Sequence, residues 1–97
     1  MVKHVVMWKL AEGLDRSEQA KAFREQANAL LATIDGVLKV ELWEGYKAQP
    51  IDHDLALYVE FASREAEAGY RNHPKHVQFK EFIKGKALER VCIDTEV

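Results

Sequence analysis

Apolar and polar positions along the chain follow two periods. Residues 2 to 10 alternate, with Val2, His4, Val6, Trp8 and Leu10 on one face and Val5 and Met7, flanked by Lys3 and Lys9, on the other. A period of two belongs to a strand, and apolar residues on both faces predict one that is covered on both sides. Glu12-Gly13-Leu14 turns the chain, and Asp15 with Glu18 three residues later is a capping-box-like helix start. From there Ala20, Phe23, Ala27, Leu30, Leu31 and Ile34 recur at helical spacing as one apolar stripe. Asp35-Gly36 ends that helix, because glycine adopts the left-handed conformation just past a helix end at little cost.

Alternation returns over residues 37 to 44, with Leu38, Val40 and Leu42 on one face and Val37, Lys39, Glu41 and Trp43 on the other. Residues 45 to 53, which include Pro50, form a polar connector able to close a hairpin. A third strand follows from Asp54 to Phe61, with Leu55, Leu57, Val59 and Phe61 opposite Asp54, Ala56, Tyr58 and Glu60. Ser63 then caps a short helix that runs to about Tyr70. Proline is tolerated in the first turn of a helix and not in its interior, so a separate helix begins at Pro74, packs with Val77, Phe79, Phe82 and Ile83, and stops at Gly85. The last strand spans about 87 to 96, with Val91 and Ile93 on one face and Arg90, Cys92 and Asp94 on the other.

The order β-α-β-β-α-β is that of an α+β, ferredoxin-like fold with a four-stranded antiparallel sheet and its helices on one side. The apolar faces Leu38/Val40/Leu42 and Leu55/Leu57/Val59/Phe61 are expected to take the helices. His4, Val6, Trp8, Trp43 and Tyr58 are expected on the open face, where large aromatics make an exposed apolar patch. The simplest cover is a second copy of the same sheet about a two-fold axis, enclosing a pocket if Ala56 and Cys92 point inward.

Composition narrows the function classes. The 97 residues make one domain, residues 1 to 97, and 47% hydrophobic content supports a small core that dimerisation would supplement. A net charge of −2, from 14 basic and 16 acidic residues mixed along the chain, leaves no basic stripe for nucleic acid. No apolar run is long enough to cross a bilayer and the N-terminus does not read as a signal peptide, so the expected location is cytoplasmic. The single Cys92 excludes an internal disulfide and reads as a small half-buried strand residue.

Candidate chemistry concentrates in Gly69-Tyr70-Arg71-Asn72-His73-Pro74-Lys75-His76-Val77-Gln78-Phe79, which holds two of the four histidines and one of the three tyrosines. Across the helix break at Pro74, Tyr70 and His76 can point into one space. Together with the opening Lys3-His4-Val5-Val6, the pattern Tyr70-x-x-His73-Pro74-x-His76-x-x-Phe79 resembles the stress-responsive dimeric α/β-barrel domain over the whole chain. The resemblance implies a ferredoxin-like subunit whose sheet pairs with that of a second copy. Some members of that family are cofactor-free polyketide cyclases that close a ring by aldol condensation, others have no assigned activity, and plant members include stress-associated proteins. In cyclase-type members a tyrosine and the second histidine of the His-Pro-x-His segment form the acid/base pair, positions matched here by Tyr70 and His76, and a first-strand histidine near the pocket is similar to His4.

Aldol closure needs a base to remove a proton next to a carbonyl and a donor for the oxyanion that develops. Histidine, which titrates near neutrality, suits the first role and a tyrosine hydroxyl the second. His76 and Tyr70 are the candidate pair, with His4, Trp8, Tyr58 and His73 as candidate substrate contacts, no cofactor and no metal. The substrate class that follows is a small, largely apolar carbonyl compound. The same residues also suit a non-catalytic, ligand-binding or stress-related homodimer, with Tyr70 and His76 fixing the break between helices, His73 holding the helix entry, and Trp8, Trp43 and Tyr58 packing an interface. A metal reading of His73 and His76 is opposed by the proline between them.

Overall fold

The computed structural model describes residues 1–47 and 50–97, so part of the predicted 45–53 connector lies outside the described residues. In chain order the elements are β1 (Val2–Leu10), α1 (Arg16–Leu30), a 3-10 turn (Leu31–Thr33), β2 (Val37–Glu44), β3 (Leu55–Phe61), α2 (Arg64–Arg71), α3 (Pro74–Ile83) and β4 (Ala87–Glu96). The strands form one antiparallel sheet in the order β2-β3-β1-β4. This is the ferredoxin-like arrangement expected from the sequence, with the second helical segment split in two at Asn72-His73.

Capping explains where the helices begin. The Asp15 carboxylate accepts from the backbone N–H of Glu18 at 2.9 Å, and the Ser63 hydroxyl accepts from that of Ala66 at 3.1 Å. At α3 the cap is His73, whose ring Nδ1 accepts from the Lys75 N–H at 3.1 Å while Pro74 fills the first helical position. The α-helical bonding of α1 stops at Leu30, and a 3-10 turn carries the predicted stripe on to Ile34. Gly36 then takes φ +86°, and its carbonyl accepts from the Ala62 N–H at 2.8 Å. A Cβ at Gly36 would stand 2.5 Å from the Ala66 Cβ, so both its conformation and the approach of α2 require glycine.

The core lies between the helices and one face of the sheet. Phe23 of α1 is fully buried and meets Trp8, Phe79 and Phe82 edge-on, with ring centroids 5.9, 6.4 and 5.7 Å away. Leu55, Leu57, Val59 and Phe61 supply the predicted apolar face of β3 beneath them. Removing an aromatic ring from such a position costs about 3–5 kcal/mol.

Register corrects the predicted faces. Residues opposite one another in an antiparallel pair share a face, and β1 sets His4 against Val59, Val6 against Leu57 and Trp8 against Leu55. His4, Val6 and Trp8 therefore lie under the helices, not on the open face. Apolar residues occupy both faces of β1, so its pattern alone could not orient it. In β2 the register slips between Val37 and Lys39, which turns Val37 toward the core and leaves Leu38 59% exposed instead of packed.

The open face consequently carries Val5 and Met7 of β1, Ala56 and Tyr58 of β3, Trp43 of β2, and Val91 and Ile93 of β4. Trp43 stacks on Tyr58 with centroids 5.3 Å apart, while Met7, Val91 and Ile93 are exposed. The Tyr58 hydroxyl donates to Glu60, and that bond, with smaller contributions from burial and the carboxylates of Glu60 and Glu41, pushes its pKa up to about 12. Cys92, expected beside Ala56, lies on the other side of the sheet, opposite Val6. Among the described residues, no helix is long and apolar enough to cross a membrane.

Candidate active site

Strand β4 forms one edge of the sheet and is exposed along nearly its whole length. The helix layer covers β2, β3 and β1 and stops short of β4, leaving a cleft between α2/α3 and the inner side of β4. The cleft consists of two adjoining hollows that share His4, Tyr70, His76, Lys80 and Arg90. One, of about 570 Å³, continues along Val6, Trp8, Leu57, Phe79 and Ile83. The other, of about 550 Å³, is polar and runs past Arg71, Asn72, Cys92 and Asp94. Arg90, two residues before Cys92 and on its face, lines both hollows, and the β1/β4 register slips beside it, at Glu89 with φ +50°.

Tyr70, near the end of α2, and His76, in the first turn of α3, meet across the helix break. Their rings stack with centroids 4.2 Å apart and 26° between planes. Tyr70 also packs edge-on to Phe61 at 4.8 Å and lies 6.4 Å from the His4 ring. Its side chain is buried and its hydroxyl has no hydrogen-bond partner among the described residues. Burial drives the phenol pKa far up, against the opposing charge of Arg90, so the hydroxyl keeps its proton and is a donor.

His76 Nδ1 lies 3.0 Å from the Arg71 carbonyl oxygen. A carbonyl can only accept, so Nδ1 carries the hydrogen and Nε2 of the neutral ring holds the free lone pair. Burial lowers the pKa of His76 and the cations Lys80 and Arg90 push the same way, against the backbone bond that raises it. The neutral, proton-accepting form is thereby favoured at physiological pH.

His4 approaches from β1, its Nδ1 2.6 Å from Asp94 Oδ1 on the neighbouring strand. The same nitrogen is 3.5 Å from Cys92 Sγ, which in turn is 3.8 Å from Asp94 Oδ2. Burial and then the Asp94 carboxylate push the Cys92 thiol up, so it is protonated at neutral pH and is no thiolate nucleophile. Sequence reasoning paired Cys92 with the open face and did not connect it to His4; the register of β1 against β4 makes that connection.

The profile of the stress-responsive A/B barrel domain matches residues 2–97. The chain belongs to this family. Among solved structures, a dimeric, ferredoxin-like protein of unknown function from Bacteroides fragilis is 30% identical, with a TM-score of 0.79 over 99% of this chain and 95% of that one. A Dabb-family protein with a ferredoxin-like fold from Mesorhizobium loti is 26% identical, again with a TM-score of 0.79 over 99% and 95% of the two chains. SnoaB, a cofactor-independent oxygenase from Streptomyces nogalater, superposes with a TM-score of 0.74 over 99% and 91%, but at 10% identity that shows the fold alone. No curated protein matches the chain.

Within this family member, the structure brings four of the six sequence-derived site residues to one cleft: Tyr70, His76, His4 and Trp8. It does not bring Tyr58 or His73 there. Tyr58 lies on the opposite side of the sheet against Trp43, and the His73 ring is engaged in capping α3. The cleft lies within one subunit on the helix side, not in the space that a second sheet would enclose. Lys80 and Arg90 were not anticipated as cleft residues. Alternation places Arg90 on a face with Cys92 and Asp94, and the gap beside α3 makes that face a cleft wall.

Proposed function

We propose that this family member is a single-domain, cytoplasmic homodimer that acts without a cofactor on a small, largely apolar carbonyl compound, with His76 as general base and Tyr70 as proton donor. The observation that carries the reading is the stacked pair itself: a neutral imidazole with the lone pair on Nε2 and a buried phenol without a partner among the described residues, side by side on the wall of one cleft. A buried polar group without a hydrogen bond costs about 1–3 kcal/mol, a cost that a substrate oxygen accepting from Tyr70 would relieve. His76 would remove the proton next to the carbonyl while Tyr70 donates to the oxygen that becomes the enolate, the division of labour that aldol-type ring closure requires. Trp8, Val6, Phe79 and Ile83 supply an apolar bed for the rest of the molecule.

Support for the dimer comes from the exposed Met7, Trp43, Val91 and Ile93 on the open face and from the dimeric Bacteroides fragilis relative. The test is a screen of linear poly-β-carbonyl thioesters and of phenolic substrates, with product analysis and oxygen uptake recorded together. Ring closure without oxygen uptake, lost in His76→Ala and Tyr70→Phe, supports the reading. Oxygen consumption would replace it with an oxygenase, and tight binding without turnover in any assay would replace it with a ligand-binding dimer.

A further inference from the structure

We propose that His4, Cys92 and Asp94 form a three-ligand site for a transition-metal dication, zinc by ligand preference, in the polar half of the cleft. The ligand atoms lie within 4.8 Å of one another and come from directly paired strands. His4 stands opposite Asp94 in the ladder, and Cys92, two residues away on β4, shares their face. The sheet thus holds the three side chains together without help from a loop.

Convergence on a single nitrogen is what separates a chelate from a proton relay. In a Cys-His-Asp relay the thiol and the carboxylate engage opposite ring nitrogens; here both Cys92 and Asp94 approach His4 Nδ1. Metal–ligand bonds of about 2.3 Å to sulfur and about 2.0–2.2 Å to nitrogen and oxygen, in tetrahedral geometry, place sulfur about 3.6 Å from each of the other two atoms. The observed separations from Cys92 Sγ are 3.5 Å to His4 Nδ1 and 3.8 Å to Asp94 Oδ2. The His4–Asp94 hydrogen bond uses the other carboxylate oxygen and gives way when a metal takes its place. Imidazole with thiolate favours zinc over magnesium or calcium. His4, Cys92, Asp94 and Tyr70 line one hollow, which leaves space for an exogenous fourth ligand, as in zinc sites that accept one. Neither Tyr70 nor His76 is a ligand, so the site stands or falls independently of the acid/base reading.

The experiment is titration of chelator-treated protein with Co²⁺, followed by absorption, with Zn²⁺ as competitor. The expected result is one Co²⁺ per chain with an intense near-ultraviolet thiolate-to-cobalt band, displaced by Zn²⁺. Cys92→Ser should abolish the band with an unchanged circular dichroism spectrum. His4→Ala and Asp94→Asn should each weaken Zn²⁺ binding by at least the roughly 10- to 100-fold that loss of a ligand's hydrogen-bond partner costs. His53→Ala and His73→Ala, which line neither hollow of the cleft, should change neither. Absence of the thiolate band, or binding that survives Cys92→Ser and falls with His53 or His73, would overturn the site.

Discussion

The phenol ring of Tyr70 lies flat against the imidazole of His76, 4.2 Å between centroids, yet its hydroxyl has no partner among the described residues. Packing and polarity therefore disagree at this residue: the ring is well placed for the core and the oxygen is not. Tyr70→Phe should leave stability unchanged or raise it, because it removes an unsatisfied buried group whose cost is about 1–3 kcal/mol. Turnover, once a substrate is found, should fall by about 10²- to 10⁴-fold, the usual range for loss of a general acid or base. Urea denaturation checks the first expectation; a loss of more than about 1 kcal/mol would mean that the hydroxyl is satisfied in solution.

His76 predicts a pH dependence. Burial lowers its pKa in the folded chain below the unfolded value of 6.5. Between those two values the unfolded state binds a proton that the folded state refuses, so stability rises with pH across the window. The contribution is fully present above 6.5 and is lost as pH falls through the folded pKa. His76→Gln should show a shallower rise of unfolding free energy from about pH 5 to about pH 7.5. Identical slopes would show that the imidazole is not desolvated.

Much of the architecture was legible in the sequence for a local reason. Asp15, Ser63 and Pro74 act through hydrogen bonds and ring constraints within three or four residues, so their meaning could be read without the fold. The facing of β1 could not be read that way, because Val5 and Met7 are as apolar as Val6 and Trp8, and the choice is made by β3, fifty residues later. The same limit governed the site. Tyr70 and His76 are close in sequence and were paired by the break at Pro74. Cys92 and Asp94 reach His4 only through strand register, and Arg90, on their face by alternation, becomes a cleft residue only because the helix layer stops short of β4.

Gly36 tests the docking of α2. A Cβ there would meet the Ala66 Cβ at 2.5 Å while the backbone holds φ +86°. Gly36→Ala should destabilise the chain by roughly 1–3 kcal/mol through backbone strain, with the clash added. Ala66→Gly in the same chain should relieve the clash and leave the strain, giving a coupling of about 0.5–3 kcal/mol in a double-mutant cycle followed by thermal or urea unfolding. Strict additivity would show that α2 shifts to make room.

Ile93 tests the proposed dimer. It is 64% exposed on the open face, level with Val5 in the ladder. A carboxylate in its place would be desolvated if a second sheet covers it, with only the diagonal Lys3 of its own subunit near it on that face, and two-fold symmetry would present two such groups to one interface. Ile93→Glu should therefore convert a dimeric mass to a monomeric one at micromolar concentration, with little change in secondary structure. Light scattering coupled to size exclusion reads the mass and circular dichroism the fold. Loss of the dimer should also expose Trp43 to solvent and shift its fluorescence to the red, because that ring is 45% exposed in the single chain and shares the face with Ile93. A variant that stays dimeric would place the interface elsewhere. A wild type that is already monomeric would leave the patch of Met7, Trp43, Val91 and Ile93 for a different partner.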